Sequence, residues 1–322
     1  MSLSRRATVS REGSNGTRIT HVSRRPRWHG HAYNRASLYR LVEALGVVPR
    51  GLRLTLARQV GRIASRFLPL ERRSIRKTLG LVTGASGGRL DELTAGVFRD
   101  FAMCFADLVS TNRQSASRLS SLVGSVTGAE QFDRLSGGLV SVTAHVGNWE
   151  LAGRLLANRL ARRTNVVVSP EEDPELGRWV RRDGEGMRFV PRSHPSVGLE
   201  LLTALRRGEV VALQADRAIG TGGDVWVPFF GPAAPFPVGP FLLARAAGVP
   251  VVPAFCVLDR DYRYAVEIAT PITVRRGEEE RAAHEWVAIL ESVVREHPTQ
   301  WFNFFDVWNP FGEPDGSARQ SS

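Results

Sequence analysis

Cysteine is nearly absent. Cys104 and Cys256 are the only two in 322 residues, they stand far apart, and neither has a partner at metal-ligand spacing. This excludes a disulfide-stapled scaffold and a zinc ribbon, and it suits a reducing compartment. No run of about 18 apolar residues occurs, so no transmembrane span is expected. The arginine-rich first residues lack the apolar stretch of a secretory signal, and any membrane contact is expected to be peripheral. Lysine is as scarce as cysteine. Lys77 stands alone among 43 basic residues, a bias that either a GC-rich genome or selection for bidentate phosphate binding would produce.

With 43% hydrophobic and 23% charged residues, the chain can bury a sizeable core as one large domain or two moderate ones. The net charge of +11 points to an anionic partner but is unevenly spread. Residues 1–40 carry nine arginines against a single acid, Glu12, a net +8 that leaves only +3 for the rest of the chain.

Residues 1–34 are rich in Arg, Ser, Gly and Thr without apolar periodicity, and they are expected to form a disordered basic arm. Residues 35–126 form an amphipathic helical region. Leu38, Leu41, Val42 and Leu45 recur at helical spacing, Leu52 to Phe67 resumes the pattern after Pro49–Gly51, and a third stretch covers about Leu90 to Val109. Such helices can cover a sheet or lie on a lipid surface. From 127 to 310, apolar β-branched runs (Leu139–Ala144, Val166–Val168, Val210–Gln214, Val225–Phe230, Val249–Leu258, Tyr264–Ile268) alternate with helical patterns at Trp149–Leu160, Val197–Arg206, Val238–Ala247 and Glu279–Glu296. This alternation implies an α/β core with a mostly parallel sheet covered by helices on both faces. Residues 311–322 are expected to be a flexible tail.

The segment Ala144-His145-Val146-Gly147-Asn148-Trp149-Glu150 concentrates the chemistry. An apolar strand runs into His145, Gly147 permits a tight turn, Asn148 is a good N-cap, and Trp149 opens a helix. His145 thereby falls at the carboxyl end of a strand, where open α/β sheets place ligands. Glu150 falls in the first helical turn, where the macrodipole favours its charge. A strand-to-helix corner can bring imidazole and carboxylate together, fixing the tautomer and freeing the other ring nitrogen to take a proton from an alcohol. Asp216 follows the run Val210–Gln214 and also sits at a strand's carboxyl end, so two carboxylates compete to orient His145. Sequence proximity favours Glu150 without excluding Asp216; a turn-capping role is the structural alternative for Asp216.

The stretch Val126-Thr127-Gly128-Ala129-Glu130, Gly137-Gly138 and the His145–Glu150 box resembles the bacterial lipid A biosynthesis acyltransferases (lauroyl and myristoyl transferases), within the lysophospholipid acyltransferase superfamily, and their phosphatidylinositol mannoside acyltransferase relatives. The likeness continues through Gly208-Glu209-Val210-Val211 to Asp216, Val227-Pro228-Phe229-Phe230-Gly231, Gly248 to Pro253, and His297-Pro298-Thr299-Gln300-Trp301-Phe302, covering most of residues 35–310. It implies a glycerolipid-acyltransferase-like fold and transfer of a fatty acyl group from acyl-CoA or acyl carrier protein to a hydroxyl of a lipid or glycolipid, without metal or prosthetic group. His145 would be the general base and Glu150 its orienting partner, both catalytic; Asn148, Arg182 and Asp216 would contact substrate. Arg182 is taken from the cluster Arg178, Arg181, Arg182, whose alternative role is a solvated helix face. Peripheral residence at the cytoplasmic face of the membrane is expected, and the clustered arginines of the basic arm are expected to act as an electrostatic tether to anionic lipid. A phosphatidylinositol mannoside acyltransferase is the nearest alternative, and a non-catalytic lipid-binding module is the alternative of another class. Nucleic acid is not an expected partner, since a core of net +3 carries no recognised nucleic-acid module.

Three further features point elsewhere at first sight. Val82-Thr83-Gly84-Ala85-Ser86-Gly87-Gly88 satisfies G-x-S-x-G, but a basic helical pattern precedes it where a nucleophile elbow needs a strand, so it is expected to link two helices. His29-Gly30-His31 lacks carboxylate or cysteine company for a metal. The aromatic run Trp301, Phe302, Phe304, Phe305 and Trp308 either lines an acyl pocket or packs the core.

Overall fold

The computed structural model describes residues 36–311, apart from 112, 113, 115, 161, 170–185, 221 and 222. The basic arm, the His29–His31 pair, the C-terminal tail and the arginine cluster 178–182 therefore lie outside the described residues. Helices come first: α1 (Ala36–Ala44), α2 (Arg50–Phe67), α3 (Pro69–Thr83), α4 (Gly87–Thr111) and the short α5 (Ala116–Ser120). Pro69 opens α3 at its first turn, and Gly84, left-handed at φ 66°, closes it by donating its N–H to the Gly80 carbonyl. The glycine-rich Val82–Gly88 segment is thus a helix-to-helix linker.

A seven-stranded sheet follows, in the order β1-β9-β8-β2-β5-β3-β4. Its strands are β1 (Val123–Thr127), β2 (Leu139–Thr143), β3 (Thr164–Val168), β4 (Met187–Pro191), β5 (Val210–Gln214), β8 (Val251–Leu258) and β9 (Tyr264–Ile268). The central strands β8, β2, β5, β3 and β4 pair in parallel, while β9 returns antiparallel to β8 and carries β1 parallel to itself. Strands β6 (Asp224–Pro228) and β7 (Ala233–Pro237) form a separate antiparallel hairpin. The remaining helices are α6 (Ala129–Asp133), α7 (Trp149–Leu160), α8 (Val197–Arg206), α9 (Gly239–Ala247) and α10 (Glu279–Glu296). The sheet is the mostly parallel, helix-covered α/β arrangement that the strand–helix alternation predicts.

All eight residues of β8 are buried, as a strand covered on both faces requires. Its residues alternate between cores: Val251, Phe255 and Val257 join a cluster with Trp286 of α10 and Phe241 of α9, whereas Cys256 and Leu258 join Leu54, Leu79, Val97 and Phe98 of the N-terminal helices. Phe255 stacks on Trp286 with centroids 5.7 Å apart. Among the described residues, no helix is long and apolar enough to cross a membrane.

Candidate active site

β2 and β5 are parallel neighbours in register, Thr143 opposite Gln214. The residues that follow each strand therefore emerge side by side, and the Ala215 N–H donates to the Thr143 carbonyl at 2.9 Å, carrying the ladder one step further. One step beyond Ala144 and Ala215 stand His145 after β2 and Asp216 after β5. Their side chains meet, with His145 Nδ1 2.7 Å from Asp216 Oδ1. The His145 backbone N–H donates to Asp216 Oδ2 at 3.0 Å.

Asp216 has no exposed side-chain surface, whereas 14% of the His145 side chain remains accessible. The C-terminal segment after α10, which lies against the carboxyl ends of β2 and β8, supplies two further donors to Asp216 Oδ2, Trp301 Nε1 at 3.1 Å and Asn303 Nδ2 at 3.3 Å. Burial alone would raise this carboxyl's pKa, but the imidazole, the Arg217 guanidinium and the His145 amide outweigh it and hold the group well below the usual carboxylate range. Burial, together with the positive charge of Arg217, pushes the His145 imidazole below its ordinary value, against the opposing pull of Asp216. The resting pair is therefore a neutral imidazole beside a carboxylate. Nδ1–H donates to Asp216, and the lone pair lies on Nε2. Trp149 meets the imidazole edge-on at 5.0 Å.

The turn after His145 is stitched at three points. Gly147 N–H donates to the Gln300 carbonyl at 2.9 Å, Asn148 N–H to the Cys256 carbonyl at 2.8 Å, and Phe302 N–H to the His145 carbonyl at 2.7 Å. Gly147 has φ 58°, and a Cβ there would lie 2.1 Å from the Cys256 carbonyl oxygen. Only glycine satisfies both the left-handed backbone and the close approach to β8.

Three expectations are corrected by this geometry. Glu150 is not the carboxylate on Nδ1: it stands half-buried in the first turn of α7, where its charge interacts with Arg154 one turn on. The in-register pairing of β2 with β5 brings Asp216 to His145 instead, and Asp216 is sealed from substrate by its own burial. Asn148 is not a substrate contact either. Its side chain is buried; Oδ1 accepts the Leu151 N–H at 3.2 Å as an N-cap, and Nδ2 donates to the Tyr264 hydroxyl at 3.1 Å. Tyr264 in turn donates to Asp107 Oδ2 at 3.0 Å, and Asp107 is held by Arg50 at 2.6 Å and Arg53 at 3.4 Å. Arg182 lies outside the described residues.

Trp301, Phe302 and Phe305 are buried in the two principal cores, so the aromatic run packs the interior, and Trp301 adds an N–H to the Asp216 cradle. Sequence reasoning did not single out Asn303, Arg217 or the Asp107–Tyr264 pair. The available signal was polar residues set within apolar runs, Asn303 between Phe302 and Phe304 above all. Arg217 donates to Asn303 Oδ1 at 3.1 Å and to the Phe302 carbonyl at 3.0 Å, locking that segment against the strand end. Among the described residues, no cluster of three or more His, Cys, Asp or Glu side chains could hold a metal ion.

The site is thus a carboxylate-oriented imidazole at the carboxyl ends of the central strands of a mostly parallel α/β sheet. The family model for bacterial lipid A biosynthesis acyltransferases matches residues 32–309, and the chain belongs to that family. Phosphatidylinositol mannoside acyltransferase of Mycobacterium tuberculosis (strain CDC 1551 / Oshkosh) is 29% identical over 205 residues, 61% of this chain and 63% of that protein. The protein of the same name from Mycolicibacterium smegmatis is 25% identical over 177 residues, 53% of this chain and 57% of its own length. The chain thus spans less than two thirds of these relatives. Among solved structures, the 1-acyl-sn-glycerophosphate acyltransferase PlsC of Thermotoga maritima aligns over 79% of this chain and 100% of its own, at 14% identity and a TM-score of 0.39.

Proposed function

We propose that the protein is a peripheral membrane O-acyltransferase that moves a fatty acyl group from the thioester of acyl-CoA or acyl carrier protein to a hydroxyl of a membrane glycolipid, at the cytoplasmic face of the membrane. An acceptor of the phosphatidylinositol mannoside type is favoured by the named relatives. The observation that carries the reading is the His145–Asp216 contact of 2.7 Å at the ends of β2 and β5, within a chain of an acyltransferase family.

In this mechanism the acceptor hydroxyl approaches His145 Nε2, which takes its proton as the oxygen attacks the thioester carbonyl carbon. Asp216 stays ionised and stabilises the imidazolium. The first-turn amides of α7, or Arg217, supply donors to the oxyanion. Collapse of the tetrahedral adduct breaks the carbon–sulfur bond and expels the thiolate, which takes the proton back from Nε2. The products are an ester and a free thiol, and the base is regenerated.

The test is transfer from a labelled acyl thioester to phosphatidylinositol mannoside by the purified chain. His145→Ala is expected to lower kcat by about 10²–10⁴-fold while the melting curve is unchanged. Wild-type-like transfer by a folded His145→Ala protein would overturn the assignment.

A further inference from the structure

Helix α2 turns one side inward. Leu54, Gly61 and Ser65 are buried, and a Cβ on Gly61 would come within 2.4 Å of the Phe98 carbonyl of α4, so the two helices approach closely along that side. The opposite side carries Leu52, Leu56, Val60, Ile63 and Phe67, which are 55%, 50%, 61%, 54% and 76% exposed. At the helical pitch these five fall within an arc of about 80°. Leu70, in the first turn of α3, extends the stripe. The 18 residues of α2 include Arg50, Arg53, Arg58, Arg62 and Arg66 and no acid. Arg50 and Arg53 turn inward to Asp107. Arg58, Arg62 and Arg66 are exposed, and at the helical pitch Arg62 and Arg66 fall along one flank of the apolar stripe.

We propose that this face of α2, with Leu70, seats the protein on a bilayer containing anionic lipid. The apolar side chains enter the interface, and Arg62 and Arg66 extend to lipid phosphates. The inference deepens the membrane-lipid reading of the preceding section by naming the docking surface. Contiguous apolar exposure of this kind marks an interaction face, and charge decides among its occupants. A second copy would set arginine rows against one another with no α2 acid to pair them. The chain's own first 40 residues carry a net +8 and are repelled by the same arginines. Phosphate headgroups complement them. The polar chain Arg50–Asp107–Tyr264–Asn148, with contacts of 2.6, 3.0 and 3.1 Å, ties the start of α2 to the turn that follows His145. The docked face and the base are thereby held in one frame.

The experiment is flotation of the full chain with equimolar phosphatidylcholine–phosphatidylglycerol vesicles and with pure phosphatidylcholine vesicles, at low and high salt. The triple variant Val60→Ser, Ile63→Ser, Phe67→Ser is expected to partition about tenfold less to both vesicle types. Arg62→Glu with Arg66→Glu is expected to lose about tenfold on anionic vesicles at low salt and little on pure phosphatidylcholine. All substituted side chains are exposed, so melting temperature and acyl transfer to detergent-dispersed acceptor should match wild type. Vesicle partition unchanged in both variants would overturn the proposal. So would a wild-type dimer in sedimentation velocity that the triple variant dissociates, which would assign the face to a second copy. Sensitive vesicle binding in a wild-type chain that transfers no acyl group would leave the docking face standing and defeat the transferase reading alone.

Discussion

Replacing Asp216 by Asn changes one atom and tests the whole arrangement. Oδ2 accepts three N–H groups, from the His145 backbone, Trp301 and Asn303, while Oδ1 faces His145 Nδ1. An amide that keeps its oxygen toward the three donors turns its NH2 toward Nδ1, which must then accept. The ring proton moves to Nε2, and the atom needed as base becomes a donor. The opposite orientation sets an NH2 against three N–H groups, and each lost bond leaves a buried donor unpaired at about 1–3 kcal/mol. The first orientation is therefore the stable one, and the wrong tautomer is its consequence. Asp216→Asn is expected to lower kcat by about 10²–10⁴-fold with KM nearly unchanged. Asp216 also raises the His145 pKa against the lowering effects of burial and Arg217. With the charge removed, any residual activity should show an acidic limb displaced to lower pH. The assay is thioester-to-lipid acyl transfer across pH, with near-ultraviolet circular dichroism to establish that the core is intact. A folded Asp216→Asn protein with kcat within about threefold of wild type would refute the reasoning, as would a greater loss from Glu150→Gln.

Gly147→Ala combines a φ of 58° with a Cβ 2.1 Å from a backbone oxygen; it should destabilise the protein by about 3–5 kcal/mol and reduce transfer, read by denaturant midpoint and activity. Tyr264→Phe strips a buried hydroxyl that joins Asn148 to Asp107 and should cost about 1–3 kcal/mol in urea unfolding; an unchanged midpoint would show that the network carries no stability. Asp100 on α4 accepts the Thr299 hydroxyl at 2.6 Å, and burial pushes its pKa up to about 6 despite that bond and the charges of Arg99 and Arg58. Because the folded chain then binds this proton more tightly than the unfolded chain, stability falls as pH rises from about 4 to 6 and stays reduced above, by about 3 kcal/mol for a two-unit shift. Asp100→Asn should recover that amount at pH above about 7 and nothing near pH 4; an Asn-minus-Asp difference independent of pH in urea midpoints would contradict the burial argument.

Hydrophobic periodicity located the strands that are buried on both faces and the long helices, because those elements carry uninterrupted patterns. β5 (Val210–Gln214), β9 (Tyr264–Ile268), α7 and α10 have the predicted limits. The elements that escaped are short or peripheral. β1 is a five-residue edge strand whose last four residues are exposed, so it has no apolar alternation to detect. β4 is an edge strand beside β3. β7 contains two prolines, which argue against a strand everywhere except in a hairpin such as the one it forms with β6. The reversed direction of β9 follows from its five-residue connection to β8, Asp259–Arg263, which is too short for a parallel crossover and closes with the Asp259 N–H donating to the Arg263 carbonyl at 2.7 Å.

The site divides along the same physical line. His145 and Gly147 were legible because a strand end, a turn and a helix start are all local signals. The identity of the ring's carboxylate is not local. Glu150 is five residues from His145 and Asp216 is 71 residues away, so proximity along the chain favoured the wrong group. The deciding quantity is strand order: the chain leaves β2, builds β3 and β4, and returns to insert β5 directly beside β2. Once β5 occupies that position in register, the first free backbone beyond Gln214 must emerge beside the first free backbone beyond Thr143. The residue there is held against His145 by main-chain geometry, before any side-chain preference acts. An acid at the second position after β5 is therefore a stronger predictor of the histidine's partner than an acid in the first turn of the following helix. Helix α7 begins at Trp149, and its opening turn is held by the Asn148 cap and the buried Tyr264 hydroxyl, so Glu150 follows the helix and not the ring nitrogen.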